Sequence, residues 1–308
     1  MKSSLVECIS TRLCEVLIYL YINQRRSKLQ SICYIKFSLL SFFLYNNDYI
    51  ELKELTMKLS RLWADILIIL VYAGAQFSSV IPAIIHHDEH LTAAEMIPKV
   101  IPYMIGGFII ASILTFFINR SIKNETQLER SRKERWLYTI FWVIAGFFMA
   151  LMAQALMNMI NVYVLHQPIE SQNTNNIMSV AKQYPLFIII VSLAGPFLEE
   201  FVFRKVIFGE LYEWLRLPRW AAFLIAGTLS GLVFAAAHMD FDHTLIYLGM
   251  AFVFAGLYVA TRRIIVPILA HMAMNSFVVI MQFALGDKIN EAAEQLKETS
   301  QLIIHLIF

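Results

Sequence analysis

Three short stretches in the last third of the chain carry side chains that could do chemistry. In Pro196-Phe197-Leu198-Glu199-Glu200-Phe201-Val202-Phe203-Arg204 two adjacent carboxylates interrupt an apolar run. Arg204 falls four residues beyond Glu200, on the same helix face, where it can neutralise that carboxylate. Phe234-Ala235-Ala236-Ala237-His238 ends a small-residue stretch on a histidine, and His271-Met272-Ala273-Met274-Asn275 sets an imidazole and an amide four apart. The chemistry such groups suit is hydrolysis. A carboxylate held away from bulk water can act as general base on a water molecule, and a neutral imidazole can share the proton or bind a metal. A second histidine and an asparagine amide can donate to an oxyanion as a carbonyl is attacked. Two histidines and a glutamate would equally make a zinc site with one open position. The residues alone do not separate these two routes.

Each motif by itself has a plainer account. Glu200 with Arg204 fits a structural ion pair, His238 a packing histidine, and His271 with Asn275 hydrogen-bonding glue between helices. Their conjunction in three apolar helices points to a site, because an ionisable group at the centre of a membrane span costs about 3 kcal/mol and marks function by default. The run His86 to His90 (HHDEH) reads as a solvated loop face, and Gln154 with Asn158 as packing contacts.

The elements that must position these residues follow from composition. Of 308 residues 58% are hydrophobic and only 16% charged, with mean hydropathy +0.61. Soluble domains are nearer 45–50% apolar and 25% charged, so the chain belongs to the membrane class. Disorder, a coiled coil and a disulfide scaffold are excluded. A net charge of +2 without a basic stripe gives no footprint for nucleic acid. Spanning helices of about 20 residues are expected near 62–85, 98–118, 136–165, 185–208, 220–238, 244–260 and 264–285. This predicts an all-α, polytopic membrane helix bundle of about seven spans with a buried polar site. Arg120, Lys123, Arg130, Arg132, Lys133 and Arg135 lie between the second and third spans, Arg204, Lys205, Arg216 and Arg219 between the fourth and fifth, and Arg262-Arg263 between the sixth and seventh. By the positive-inside rule these face the cytoplasm, with the first span starting inside and the last ending outside. Residues 286–308 read as an acidic tail that lies on the membrane surface.

The first 56 residues differ from the rest. They hold all three cysteines (Cys8, Cys14, Cys33) and no Gly, Ala, Pro, Trp or His. Lys53-Glu54 can be encoded as a ribosome-binding sequence two codons before Met57. Translation is therefore expected to start at Met57, with 1–56 an untranslated extension and 57–285 a single membrane domain.

Glu199-Glu200-x-x-x-Arg204, Phe234-x-x-x-His238 and His271-x-x-x-Asn275 together resemble the CPBP (CAAX protease and bacteriocin-processing, also called Abi) intramembrane proteases over roughly residues 185–280. Lys205 stands where that family often has Gly. The resemblance implies that Glu199 and His238 activate the attacking water, that His271 and Asn275 hold the oxyanion, and that Glu200 and Arg204 keep the site together. It implies a multi-pass protein of a bacterial cell membrane acting on a membrane-associated peptide or protein, with a role in bacteriocin maturation or self-immunity. The family is commonly called metalloprotease, which leaves zinc open. The runner-up is a non-catalytic immunity or partner-binding protein that uses the same polar cluster as a structural core. A transporter would show an inverted repeat or a polar path through several spans, and neither stands out. One tension remains: His238 is about 28 Å along its helix from Arg219, but His271 only about 12 Å from Arg263. Misplaced helix boundaries are the expected cause.

Overall fold

The computed structural model describes residues 61–87, 91–122, 124–133, 135–169 and 171–307. The expectation for 1–56 and part of the His86–His90 run lie outside them. Among the described residues seven helices are long and apolar enough to cross a membrane. We label the helices α1 (Arg61–Ile85), α2 (Ala93–Ser121), α3 (Gln127–Arg130), α4 (Trp136–Tyr163), α5 (Gln172–Gln183), α6 (Pro185–Trp214), α7 (Arg219–His238), α8 (Phe241–Thr261) and α9 (Ile265–Ile307). All except α3 and α5 are spans.

Helix ends follow local chemistry. Thr92 and Glu95 form a reciprocal capping box at the start of α2, and Thr126 with Glu129 does the same for α3. Ser171 caps α5 by accepting from the Thr174 amide. Met239 (φ 52°) and Arg262 (φ 56°) adopt left-handed conformations that stop α7 and α8. Residues 166–184, between the third and fourth expected spans, contain α5, whose low hydropathy hides it from a search for spans. The last span falls at Ile265–Leu285, close to expectation, but its helix α9 continues to Ile307.

The helix that carries both glutamates is the most enclosed span. In α6 56% of the most apolar stretch is buried and in α8 50%, against 28% in α9 and 11% in the lipid-facing α4. Close approach rests on small residues. A Cβ on Gly227 of α7 would lie 2.6 Å from the Phe252 ring of α8, and one on Gly146 of α4 would lie 2.5 Å from Leu257.

α6 runs six residues beyond its expected end because its charged last turns find partners. Arg61 of α1 donates to Glu129 (Nη1–Oε2 2.8 Å) and pairs with Glu210, and Lys205 Nζ lies 2.5 Å from Glu129 Oε1. The Leu128 amide donates to Glu213 at 2.9 Å. Burial would raise the Glu129 carboxyl, but Lys205 and Arg61 outweigh it and hold the group down at about 2. The cluster ties the charged 119–135 segment to the end of the bundle that the loop charges assign to the cytoplasm.

Candidate active site

α6 bears both glutamates, and it is not a regular helix. Ile190–Ala194 and Glu200–Phe208 are π-helical, flanking an α-helical turn at Gly195–Glu199. The sequence gives a cause for the first. In the π pattern the Gly195 amide bonds to the Ile190 carbonyl, and the next donor, to Val191, would be residue 196. Pro196 has no N–H. The Val191 carbonyl accepts instead from Asn275 Nδ2 of α9 at 3.0 Å. In the second π segment the Phe203 carbonyl accepts from Ser230 Oγ of α7 at 2.6 Å. Neighbouring side chains thus satisfy backbone that lipid could not, and π segments recur at functional sites.

Glu200 is fully buried and Arg204 is 1% exposed. Glu200 Oε2 lies 3.2 Å from Arg204 Nε, and Oε1 lies 2.8 Å from His271 Nδ1. The guanidinium sits over the rings of Phe234 (4.3 Å) and Phe254 (5.2 Å), and among the described residues none of its nitrogens has a hydrogen-bond partner. Charge pairing and cation–π attraction hold it there. With Nδ1 turned to Glu200, His271 presents Nε2 to Glu199 Oε2 at 3.8 Å, too far for a direct hydrogen bond. His238 donates from Nδ1 to the Phe234 carbonyl at 2.8 Å, which leaves Nε2 as its second polar atom.

Glu199, His238, His271 and Asn275 all line one cavity of about 340 Å³. Glu199 and His238 both line it, with no hydrogen bond between them. Glu200 and Arg204 stand behind this lining. The two helices begin at Arg219 and Ile265, so misplaced boundaries are not the cause of the depth difference. His271 stacks on Phe254 (centroids 4.7 Å) and stands 6.3 Å from Phe234.

The sequence reading passed over several lining groups. Tyr72 and Gln76 of α1 contribute a hydroxyl and an amide joined at 2.8 Å, and Gln154, read as a packing contact, faces the cavity. Ser171, Asn173, His243 and Tyr247 line it as well. Amides inside apolar spans were the available signal for Gln76. Among the described residues no three His, Cys, Asp or Glu side chains converge as a metal site requires. The residues as placed do not fit the zinc alternative.

Residues 181–277 match the family described as type II CAAX prenyl endopeptidase Rce1-like. The chain is 38% identical over 237 residues to the membrane-embedded CAAX protease MroQ of Staphylococcus aureus, covering 77% of this chain and 96% of that one. It is 39% identical over 251 residues to the putative membrane peptidase YdiL of Bacillus subtilis, covering 78% and 97%. No solved structure gives a significant match.

Proposed function

Starting from a chain that belongs to the membrane-embedded CAAX protease family and is a multi-pass bacterial membrane protein, we propose that it is an intramembrane endopeptidase whose water is activated by Glu199 and His238. The observation that carries this reading is the meeting of Glu199, His238, His271 and Asn275, from three helices, on one cavity inside an apolar bundle.

The water bridges Glu199 and His238. His238, its Nδ1–H given to Phe234, accepts one water hydrogen at Nε2 and orients the molecule. Glu199 takes the other proton as the water oxygen attacks the scissile carbonyl carbon. Charge develops on the carbonyl oxygen. His271 with both nitrogens protonated donates Nδ1–H to Glu200 and Nε2–H to that oxygen, and Asn275 gives its second amide hydrogen. As the C–N bond breaks, Glu199 returns its proton to the leaving amine. Glu200 and Arg204 touch no substrate and set the charge and orientation of His271.

The substrate is a membrane-associated peptide whose apolar residues suit the Met104, Phe108, Ile177 and Met178 side of the cavity. The cellular role proposed for it, bacteriocin maturation or self-immunity, is the one the family resemblance implies. The test is functional complementation by Glu199→Ala and His238→Ala at matched membrane levels and unchanged melting. A protease loses its cellular function in both. Retained function in the folded variants would support the non-catalytic binding protein instead.

A further inference from the structure

A second buried polar cluster closes the far end of the cavity, in the Met239–His243 corner between α7 and α8. Asp240, only 6% exposed, accepts from Ser171 Oγ at 2.5 Å and from Tyr247 OH at 3.4 Å, both on Oδ2. Its Oδ1 faces His243 Nδ1 at 3.0 Å. The other nitrogen of His243, Nε2, faces the Pro168 carbonyl at 3.1 Å. Asn173 Nδ2 donates to Tyr247 OH at 3.2 Å, and the Tyr247 ring packs on His238 with centroids 4.4 Å apart. One carboxylate therefore gathers α5, its preceding loop, and the aromatic ring that braces a site histidine.

His243 is the informative member. A neutral imidazole has one donor and one acceptor nitrogen. A backbone carbonyl can only accept, and a carboxylate that already takes two hydroxyl protons on its other oxygen also accepts. With Asp240 ionised, both bonds of His243 exist together only in the imidazolium. The other titratable groups around it are Asp240 and the adjacent, exposed Asp242 on its own corner, Tyr247 one turn on in α8, His238 beyond that ring, and His166 two residues before Pro168. The pre-α5 loop meets it with a carbonyl and the Ser171 hydroxyl, and α4 meets the corner with the Asn161 amide, which donates to the Asp242 carbonyl at 2.6 Å.

We propose that Asp240 is a positioning residue that seats His238 through Tyr247 and, with Ser171 and protonated His243, latches α5 as one wall of the cavity. Loss of the His243 proton breaks one of its two bonds and loosens that wall, so access to the cavity rises with pH. The inference rests on the protease reading only for its consequence at His238.

The test reads the wall directly. Met178 of α5 is buried and lines the cavity. Met178→Cys is placed in a full-length chain with Cys8, Cys14 and Cys33 changed to Ser, and labelled with a water-soluble maleimide. Rates are divided by those of the denatured chain at each pH. The expected result is a normalised rate that rises about tenfold between roughly pH 6 and pH 8.5, the effect of losing one charge-assisted hydrogen bond to an imidazole. Asp240→Asn should label fast at both, and His243→Gln should give a flat profile. A flat profile in the unsubstituted latch overturns the proposal, whatever the variants do. So does an Asp240→Asn chain with normal melting that keeps the original pH dependence. Loss of protease function with an intact labelling profile would count against the site assignment and leave the latch standing.

Discussion

Changing Glu200 to Gln keeps the side chain's shape and removes its charge. Arg204 would then lie between Phe234 and Phe254 with no hydrogen-bond partner and without the carboxylate 3.2 Å away. Breaking a buried ion pair from one side costs about 3–5 kcal/mol, because the remaining charge stays desolvated. For a domain of this size each kcal/mol lowers Tm by roughly 2–4 °C, so Glu200→Gln should melt about 6–20 °C lower. Replacing both partners by uncharged side chains of similar volume removes the orphaned charge. Glu200→Gln with Arg204→Met should recover most of the loss, with a coupling of at least about 2 kcal/mol. Cleavage should not recover, since His271 loses the carboxylate that faces its Nδ1 at 2.8 Å and orients the ring. Thermal unfolding of the four purified chains in one detergent measures the cycle. Effects that add within about 0.5 kcal/mol would refute the pairing argument.

Three further outcomes follow from named contacts. Asn275→Ala leaves the Val191 carbonyl unpaired and should cost about 1–3 kcal/mol; Pro196→Ala in the same chain supplies an amide N–H and should restore part of it, as thermal melting would record. Glu129 has a folded pKa of about 2, depressed from its ordinary 4.5, so its stabilisation is fully present above pH 4.5 and is lost as pH falls toward 2. The shift corresponds to roughly 3 kcal/mol, and Glu129→Gln should flatten Tm across that window. With no three ligands converging among the described residues, exhaustive chelation should leave cleavage unchanged; loss of activity that zinc alone restores would overturn the metal-free reading.

The spans were legible because lipid imposes a simple constraint on length and hydropathy, and the expected ranges fall within a few residues of Trp136–Tyr163, Arg219–His238 and Phe241–Thr261. The exception at α6 is instructive. Lys205 and Glu210 read as the start of a loop, but Glu129 and Arg61 pair with them across 76 and 149 residues of sequence, which no local pattern reveals. Glu200 with Arg204 was readable from a four-residue spacing. The bond from Glu200 to His271, and the way Asn275 supplies a donor that Pro196 lacks, depend on which helices become neighbours. Likewise Asp240 and His243 look like a polar turn until Ser171 and Pro168 are brought beside them.

The central claim is peptide-bond hydrolysis dependent on Glu199 and His238. Quantitative mapping of new peptide termini in membranes and medium tests it most directly, comparing the natural chain with Glu199→Ala and His238→Ala at equal membrane abundance. The account predicts a set of termini that disappears in both variants. Identical termini in all three strains, with the variants folded, would contradict it.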